Sequence, residues 1–291
     1  MADGRPAWIR VPFHDGPNFR DVQSLMRGLT LHTVCEEARC PNQRECWDAR
    51  TATFLILGDK CTRRCGYCAI DTGHPEGVLD WGEPDRVAQA VAHLDLRHVV
   101  ITSVTRDDVA DGGAAVFAAT IRRVRNRIPS CDIEVLVPDF GFDSASLRTV
   151  IDAQPDVLNH NIETVRRIHP AARPRSDYDS ALRLLRDARA MGATITKSGV
   201  MVGLGEAFEE LVETLQDLRD AGVAVITIGQ YLRPTGDARH VPVERYYTPE
   251  EFALLKSRGL AMGFRHVESG PLVRSSYHAR DQLAKSRASV P

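Results

Sequence analysis

Residues 51–68 read TATFLILGDKCTRRCGYC, an apolar run followed closely by three cysteines. The run TATFLILG (51–58) is short, continuous and rich in β-favouring residues, which is typical of a strand buried on both faces of a parallel sheet. Five similar runs follow, and amphipathic helical segments separate them. These runs are RHVVITSV (97–104), DIEVLVPD (132–139), DVLNHNIET (156–164), TITKSGVMVG (194–203) and VAVITIGQY (223–231). The alternation predicts right-handed βαβ units and a parallel sheet.

The number of these units decides between architectures. Six are too few for a closed eightfold barrel, so we expect an α/β fold built as an open, partial (β/α)6 barrel of TIM type. A doubly wound sheet has the same periodicity and is the alternative. Helix boundaries support the alternation: Pro84 opens one helix, Gly192 and Gly222 end two others, and residues 248–251 (TPEE) have the form of a capping box.

Both architectures place functional side chains at the carboxyl ends of the strands. Polar residues predicted to lie there are Thr102, Ser103, Asn159, Asn161, Glu163, Lys197, Ser198, Gln230 and Tyr231. Residues 1–50 and the tail show little secondary-structure signal. We therefore expect an N-terminal extension (1–50), the barrel (51–264) and a C-terminal extension (265–291).

Composition argues against several classes of protein. The chain has 291 residues and a net charge of -2, from 37 Lys and Arg against 39 Asp and Glu, without the basic excess of a nucleic-acid binder. No apolar run approaches the roughly 20 residues that cross a bilayer, and the N-terminus has no apolar signal core. We expect a cytoplasmic protein that binds neither nucleic acid nor membrane.

The cysteines are concentrated in one part of the chain. Six of the seven lie between residues 35 and 68, whereas a disulfide framework would spread them and would suit a small secreted domain. Metal or cluster ligation is the better interpretation. Cys131 stands apart and is predicted to be a small buried residue.

Cys61, Cys65 and Cys68 have the spacing C-x3-C-x2-C directly after the first predicted strand. One short loop can bring three soft thiolates to a four-iron, four-sulfur cube and leave its fourth iron open. Zinc is the rival, but structural zinc takes four protein ligands, and the nearest further donor, His74, has an unfavourable spacing.

A second set of three cysteines, Cys35, Cys40 and Cys46, has the spacing C-x4-C-x5-C. Three more thiolates indicate a second cluster. A zinc knuckle or a structural clip is the alternative for this set.

The segment CTRRCGYC, with Tyr67 before its last cysteine, resembles the signature of the radical S-adenosylmethionine superfamily. That resemblance implies a partial (β/α)6 barrel with the cysteine loop after its first strand. It also implies that S-adenosylmethionine binds the open iron and is cleaved to a 5′-deoxyadenosyl radical.

Over nearly its whole length the chain resembles the lipoyl synthase family. The matching blocks are LHTVCEEARCPNQRECW, TATFLILGDKCTRRCGYCAI, VVITSVTRDDVADGGA, PDVLNHNIETV, TKSGVMVGLGE, TIGQYLRPT and SGPLVRSSYHA. Departures are Gln43-Arg44 before Glu45-Cys46 and the variant loops DFGFDSAS and RPRSDY. They bear on substrate or partner detail, because none includes a predicted cluster ligand.

The resemblance implies a sulfurtransferase of lipoate biosynthesis and protein lipoylation. It would insert sulfur at C6 and C8 of an octanoyl chain on a lysine of a lipoyl carrier domain, with an auxiliary 4Fe-4S cluster as sulfur donor. Those carbons carry unactivated C–H bonds, so a cofactor radical must abstract the hydrogen. The implied cofactors are two 4Fe-4S clusters and S-adenosylmethionine.

The implied partners are octanoylated lipoyl domains of 2-oxoacid dehydrogenase complexes or the glycine cleavage H protein, an electron donor such as ferredoxin or flavodoxin, and an iron–sulfur carrier. Two alternatives to this function are open. One is another radical enzyme that inserts one sulfur or modifies a peptide. The other is a non-catalytic metal-binding scaffold.

The resemblance also assigns residues. Cys61, Cys65 and Cys68 would hold the S-adenosylmethionine-binding cluster, and Cys35, Cys40, Cys46 and Ser276 the auxiliary cluster, with Ser275 the second choice for the serine. A hard serine oxygen is a poor partner for a soft iron site, so this cluster would lose iron readily. The residues expected to contact S-adenosylmethionine or the substrate are Tyr67, Asp111, Gly112, Gly113, Asn159, Asn161, Glu163, Lys197 and Ser198.

Overall fold

The computed structural model describes residues 5–11 and 16–288, and within them one open sheet of eight strands runs in the order β1 to β8. The strands are β1 (His32–Thr33), β2 (Thr53–Ile56), β3 (His98–Ser103), β4 (Asp132–Leu136), β5 (Val157–Asn159), β6 (Thr196–Val202), β7 (Val225–Gln230) and β8 (His266–Gly270). Strands β2 to β8 pair in parallel, and β1 pairs antiparallel with β2. The six predicted strands and the open, partial barrel are confirmed.

Helices connect the parallel strands on the outside of the sheet. They are α4 (Glu83–His93), α5 (Ala114–Arg127), α6 (Ser144–Ile151), α7 (His169–Ala172), α8 (Tyr178–Ala190), α9 (Phe208–Asp220) and α10 (Pro249–Ala261). Short 3-10 turns lie at Ala7–Ile9 and Phe140–Phe142. The predicted capping box is confirmed: Thr248 accepts a hydrogen bond from the Glu251 N–H, and the Glu251 carboxylate accepts one from the Thr248 N–H. No helix in the described ranges is long and apolar enough to span a bilayer.

The expectation of little regular structure outside the barrel is wrong. The N-terminal part holds α1 (Pro17–Gly28), α2 (Val34–Glu37), α3 (Gln43–Asp48) and β1, and the tail holds β8 and α11 (Ala279–Ala288). β1 has only two residues, and only the first two residues of β8 are buried, so neither strand has a recognisable apolar run. The division at residues 50 and 264 stays a prediction.

Apolar packing covers the barrel at the amino ends of β5, β6 and β7. Leu283 of α11 packs with Val157, Ile195, Ala224 and Val225, which lie where β5, β6 and β7 begin. Burying a leucine side chain fully contributes roughly 2 kcal/mol. The helix therefore covers this part of the barrel, whereas the loop at the carboxyl end of β2 carries Cys61, Cys65 and Cys68.

Candidate functional site

The loop after β2 holds Cys61, Cys65 and Cys68. Two backbone N–H groups, those of Arg63 and Thr105, point at the Cys61 sulfur at 3.4 Å each. Burial, together with the neighbouring Cys65 and Cys61 sulfurs, raises the pKa of Cys68 to about 12. Cys68 therefore lies in surroundings where a thiolate needs a cation.

Arg63, within the same loop, ties the cysteines to the barrel. Its guanidinium is 8% exposed and bonds Asp107 after β3 at 2.8 Å. It also forms a bidentate pair with Asp139, a fully buried residue after β4. One of the two bonds, from Nη2 to Oδ1, is 2.7 Å long. A bidentate pair fixes direction as well as distance. Sequence reasoning missed Arg63, although an arginine between two cluster cysteines and an aspartate after each of the next two strands were visible signals.

A second set of contacts, made by the segment after β7, holds the cysteine loop from another side. The His240 ring, through Nε2, lies 3.0 Å from the Cys68 carbonyl oxygen. The Val241 N–H donates to the Gly66 carbonyl oxygen at 3.0 Å, and the Gly66 N–H donates to that of Ala172 at 2.8 Å. The segment after β7 thus presses the cysteine loop into place.

The other three cysteines meet Ser276 in one small cavity. Cys35 lies on α2, Cys46 on α3 and Cys40 between them, and all three line a cavity together with Ser276 and Arg274. The Thr53 hydroxyl at the start of β2 donates to Ser276 Oγ at 2.8 Å. Ser275 does not line this cavity; its hydroxyl accepts a hydrogen bond from Asn161 at 2.8 Å.

Electrostatics in this small cavity also favour a bound cation. Burial raises the pKa of Cys35 to about 11 and that of Cys46 to about 12, and neighbouring thiols add to both effects. Burial lowers the pKa of Arg274, and the Cys40 sulfur opposes that effect. Arg274 is a second residue that sequence reasoning did not single out, although it stands two positions before Ser276.

The donor chemistry fits iron–sulfur clusters. All six cysteines are free thiols, and sulfur is the donor that such clusters take. Within the described residues, no three His, Cys, Asp or Glu side chains gather closely enough to hold a single metal ion. A single ion needs its ligands around one point, whereas each iron of a cube takes its own thiolate.

One larger cavity of about 440 Å3, the upper cavity, connects the two cysteine sets inside the carboxyl end of the barrel. Tyr67 and Cys68 line one part of it, and Cys35, Cys40 and Ser276 line another. Further lining residues are Val100, Leu136, Asn161, Glu163, Val200, Val273 and Ser275. The fold therefore gives both predicted centres access to the same space.

Glu163 has an unusual backbone in this cavity. Its φ is +72°, which is rare for a residue other than glycine, and β6 holds it there through hydrogen bonds with Gly199 and Met201 at 3.0 and 2.7 Å. Burial raises the pKa of Glu163, while Arg173, Asn161 and Tyr67 oppose that effect. Asn161 Oδ1 is buried without a hydrogen-bond partner among the described residues, so both side chains can still accept hydrogen bonds from a ligand.

Lys197 and Ser198 do not end their strand, and that prediction is wrong. β6 runs to Val202, so both lie near its beginning, and neither lines the upper cavity. Lys197 Nζ bonds Glu134 Oε1 of β4 at 2.8 Å, with both side chains 1% exposed, and Asn159 donates to the same oxygen at 3.2 Å. A buried ammonium needs a buried partner, and Glu134 provides it inside the barrel.

Asp111, Gly112 and Gly113 build the start of α5. The Asp111 carboxylate accepts hydrogen bonds from the N–H groups of Gly113 and Ala115 at 2.9 and 2.8 Å. A Cβ atom at Gly113 would lie 2.3 Å from a methyl carbon of Leu57, so only glycine fits. These contacts account for the three residues structurally, and a contact with S-adenosylmethionine stays a prediction.

Comparisons with known proteins agree with this arrangement. Residues 55–218 match the family model of the radical SAM superfamily, and residues 3–40 match that of the N-terminal domain of lipoyl synthase of the radical SAM family. The chain is 59% identical to the lipoyl synthase of Rubrobacter xylanophilus over 98% of this chain and 88% of the relative. It is 54% identical to that of Koribacter versatilis over 97% of this chain and 92% of the relative.

Among solved structures, methylornithine synthase is similar with a TM-score of 0.58 and 14% identity, over 85% of this chain and 74% of that one. The FeFe-hydrogenase maturase HydG from Carboxydothermus hydrogenoformans gives 0.59 and 15%, over 91% and 68%. These similarities show the fold. The two family models and the near full-length relatives show more: the chain belongs to the lipoyl synthase family of radical SAM enzymes.

Proposed function

We propose that this chain is a lipoyl synthase that inserts two sulfur atoms, at C6 and C8, into an octanoyl chain carried on a lysine of a lipoyl domain. The observation that carries the proposal is the upper cavity, which both cysteine sets line. A radical generated at one end can reach a substrate whose carbons also face the other end. Two separate cavities would have given no such route.

The bound groups supply the chemistry, a 5′-deoxyadenosyl radical from cluster-bound S-adenosylmethionine and sulfur from the auxiliary cluster. The protein holds them and positions the substrate. Cys61, Cys65 and Cys68 would hold one cluster, in a loop that Arg63 and His240 fix from two sides. Cys35, Cys40, Cys46 and Ser276 would hold the other.

The walls of the upper cavity suit the two organic ligands. Val100, Leu136, Val200 and Val273 offer an apolar surface to an alkyl chain. The Glu163 carboxylate and the unpaired Asn161 oxygen accept hydrogen bonds from the hydroxyl groups of a ribose. Exclusion of water by these walls protects a reactive radical from side reactions.

The same proposal includes the partners. A lipoyl-domain protein delivers the octanoyl chain, as the family implies. An electron donor such as ferredoxin or flavodoxin would reduce the radical-forming cluster, and an iron–sulfur carrier would serve the auxiliary one. We place this reaction in the cytoplasm.

The test is a product measurement under anaerobic conditions with an octanoylated lipoyl domain. We expect a mass gain that corresponds to two sulfur atoms, from protein that contains about eight irons and eight sulfides per chain. Cys61→Ala should abolish S-adenosylmethionine cleavage. Cys40→Ala should leave cleavage largely intact and stop sulfur insertion.

Cys131→Ala is the matched control, since Cys131 is fully buried in the apolar core and outside both cysteine sets. Vigorous cleavage without any mass gain would argue for a different radical reaction. One or two zinc ions without sulfide would argue for a metal-binding scaffold.

A further inference from the structure

A second cavity of about 330 Å3, the lower cavity, lies at the amino ends of β2 and β3. The end of α3, the loop before β3 and the segment that leads into α11 also line it. It contains none of Cys61, Cys65 and Cys68, the radical-loop cysteines, because their loop follows the carboxyl end of β2.

The lower cavity reaches the auxiliary donors from behind. Cys35 and Cys40 line the upper cavity, whereas Cys46 lines the lower one. Ser276, Thr53 and Val100 line both. The auxiliary site is therefore a partition between two spaces, with the substrate side on one face and a separate opening on the other.

The wall of the lower cavity carries a buried group without a full set of partners. His98 lines it and is 7% exposed, and its Nδ1 has no hydrogen-bond partner among the described residues. Its Nε2 lies 3.5 Å from the Glu134 carboxylate. A buried ring nitrogen without a partner is uncommon and points to a ligand, and imidazole nitrogen suits iron.

Charged side chains of both signs surround the mouth. Arg97 and Arg280 are exposed cations suited to a hydrosulfide anion, and Asp95 and Asp281 are anions suited to a ferrous ion. The lower cavity thus offers contacts for both inorganic components of a cluster.

On the proposed function, each round of catalysis removes two sulfur atoms from the auxiliary site, so iron and sulfide must return to it. The upper cavity then holds the acyl chain and its carrier. We propose that the lower cavity is the route by which ferrous ion and hydrosulfide reach the auxiliary site, with His98 as a transient ligand of the iron. The ions are either free or released from a carrier at the mouth, and the wall residues bind and release them without forming a lasting bond.

The experiment narrows this opening with Ala49→Trp and, separately, Arg97→Trp. Both side chains are exposed at the rim, and neither is a predicted cluster ligand. Ala284→Trp, on the exposed side of α11 and outside the lower cavity, is the matched control. All three are made in the full chain with Cys61, Cys65 and Cys68 changed to Ala, so that only the auxiliary site takes up iron.

After the site is emptied with a chelator, ferrous ion and sulfide are supplied in one arm and a cluster-loaded carrier protein in the other. Iron content, sulfide content and cluster absorption are followed with time. We expect the rim variants to slow uptake by at least about tenfold in one or both arms, and the control to match its parent. With Cys61, Cys65 and Cys68 restored and both sites loaded, the first round of product formation by Ala49→Trp should match the parent's.

Uptake at the parent rate by both rim variants in both arms would overturn the inference. Thermal unfolding of each variant checks that it is folded. The two proposals fail separately. A parent enzyme that forms no doubly sulfurated product refutes the proposed function. If the parent forms this product and the rim variants take up iron and sulfide at the parent rate, only the route is refuted.

Discussion

Replacing Lys197 by methionine tests whether this residue serves the barrel or the cofactor. Its ammonium lies 2.8 Å from Glu134, and each side chain is 1% exposed. Burial alone would raise the pKa of Glu134, but Lys197 and His98 outweigh it and hold that pKa at about 2. Methionine preserves most of the volume and removes the charge, so Glu134 is left as a buried carboxylate.

The expected loss is about 3 kcal/mol of unfolding free energy. Removing one partner of a buried pair typically costs about 3–5 kcal/mol. The lower end applies here, because His98 at 3.5 Å and Asn159 at 3.2 Å still face the carboxylate. A pKa lowered from 4.5 to about 2 corresponds to a similar figure, about 3 kcal/mol at neutral pH.

Anaerobic urea unfolding measures this loss, with Glu134→Leu plus Lys197→Met as the matched comparison. The double variant should recover most of the stability, because no unpaired charge remains. The pair stabilises the parent fully above pH 4.5, and this stabilisation is lost as the pH falls towards 2. In Lys197→Met the free energy of unfolding should change less over this pH range. S-adenosylmethionine affinity should match the parent's in the double variant. If Lys197→Met unfolds like the parent and loses that affinity instead, the reasoning is wrong and Lys197 contacts the cofactor.

Three further substitutions probe the site. Arg63→Lys keeps the charge but cannot form the bidentate pair with Asp139, so the rate of S-adenosylmethionine cleavage should fall. Cleavage at the parent rate would mean that the pair does not position the loop. Ser276→Ala should stop sulfur insertion while cleavage continues, as judged by product mass, and should cost about 1 kcal/mol for the lost Thr53 bond. Glu163→Gln should weaken S-adenosylmethionine binding in equilibrium dialysis. Glu213→Gln, at an exposed position of α9, is the control, and unchanged binding in Glu163→Gln would exclude a direct contact.

Sequence reasoning found the barrel because its strands have continuous apolar runs, such as TFLI in β2, and because its helices end at recognisable caps. It missed β1 and β8 because pairing with a neighbour, and not their own composition, makes them strands. The cysteine sets were visible from spacing. Their access to one cavity was not, because that depends on how distant segments pack.

Lys197 shows a second limit. A polar residue in an apolar run can lie near either end of a barrel strand. Periodicity does not show at which residue the strand begins or ends. The partner that decides the matter, Glu134, lies 63 residues away on another strand. A buried charge can be assigned only when its partner is known.

The auxiliary site depends on both ends of the chain at once. Asn42 donates to the Leu272 carbonyl oxygen at 2.7 Å, and the Tyr277 hydroxyl donates to Glu45 at 3.0 Å, across 230 and 232 residues. Gly229 in β7 permits this approach, because a Cβ atom there would lie 2.2 Å from the Val273 carbonyl oxygen. Contacts between such distant segments carry a large loop-closure cost, so this site should form after the barrel and its radical loop. A site that assembles last from the two ends can open locally while the barrel stays folded, which suits a centre that, on the proposed function, gives up sulfur and is rebuilt in every round of catalysis.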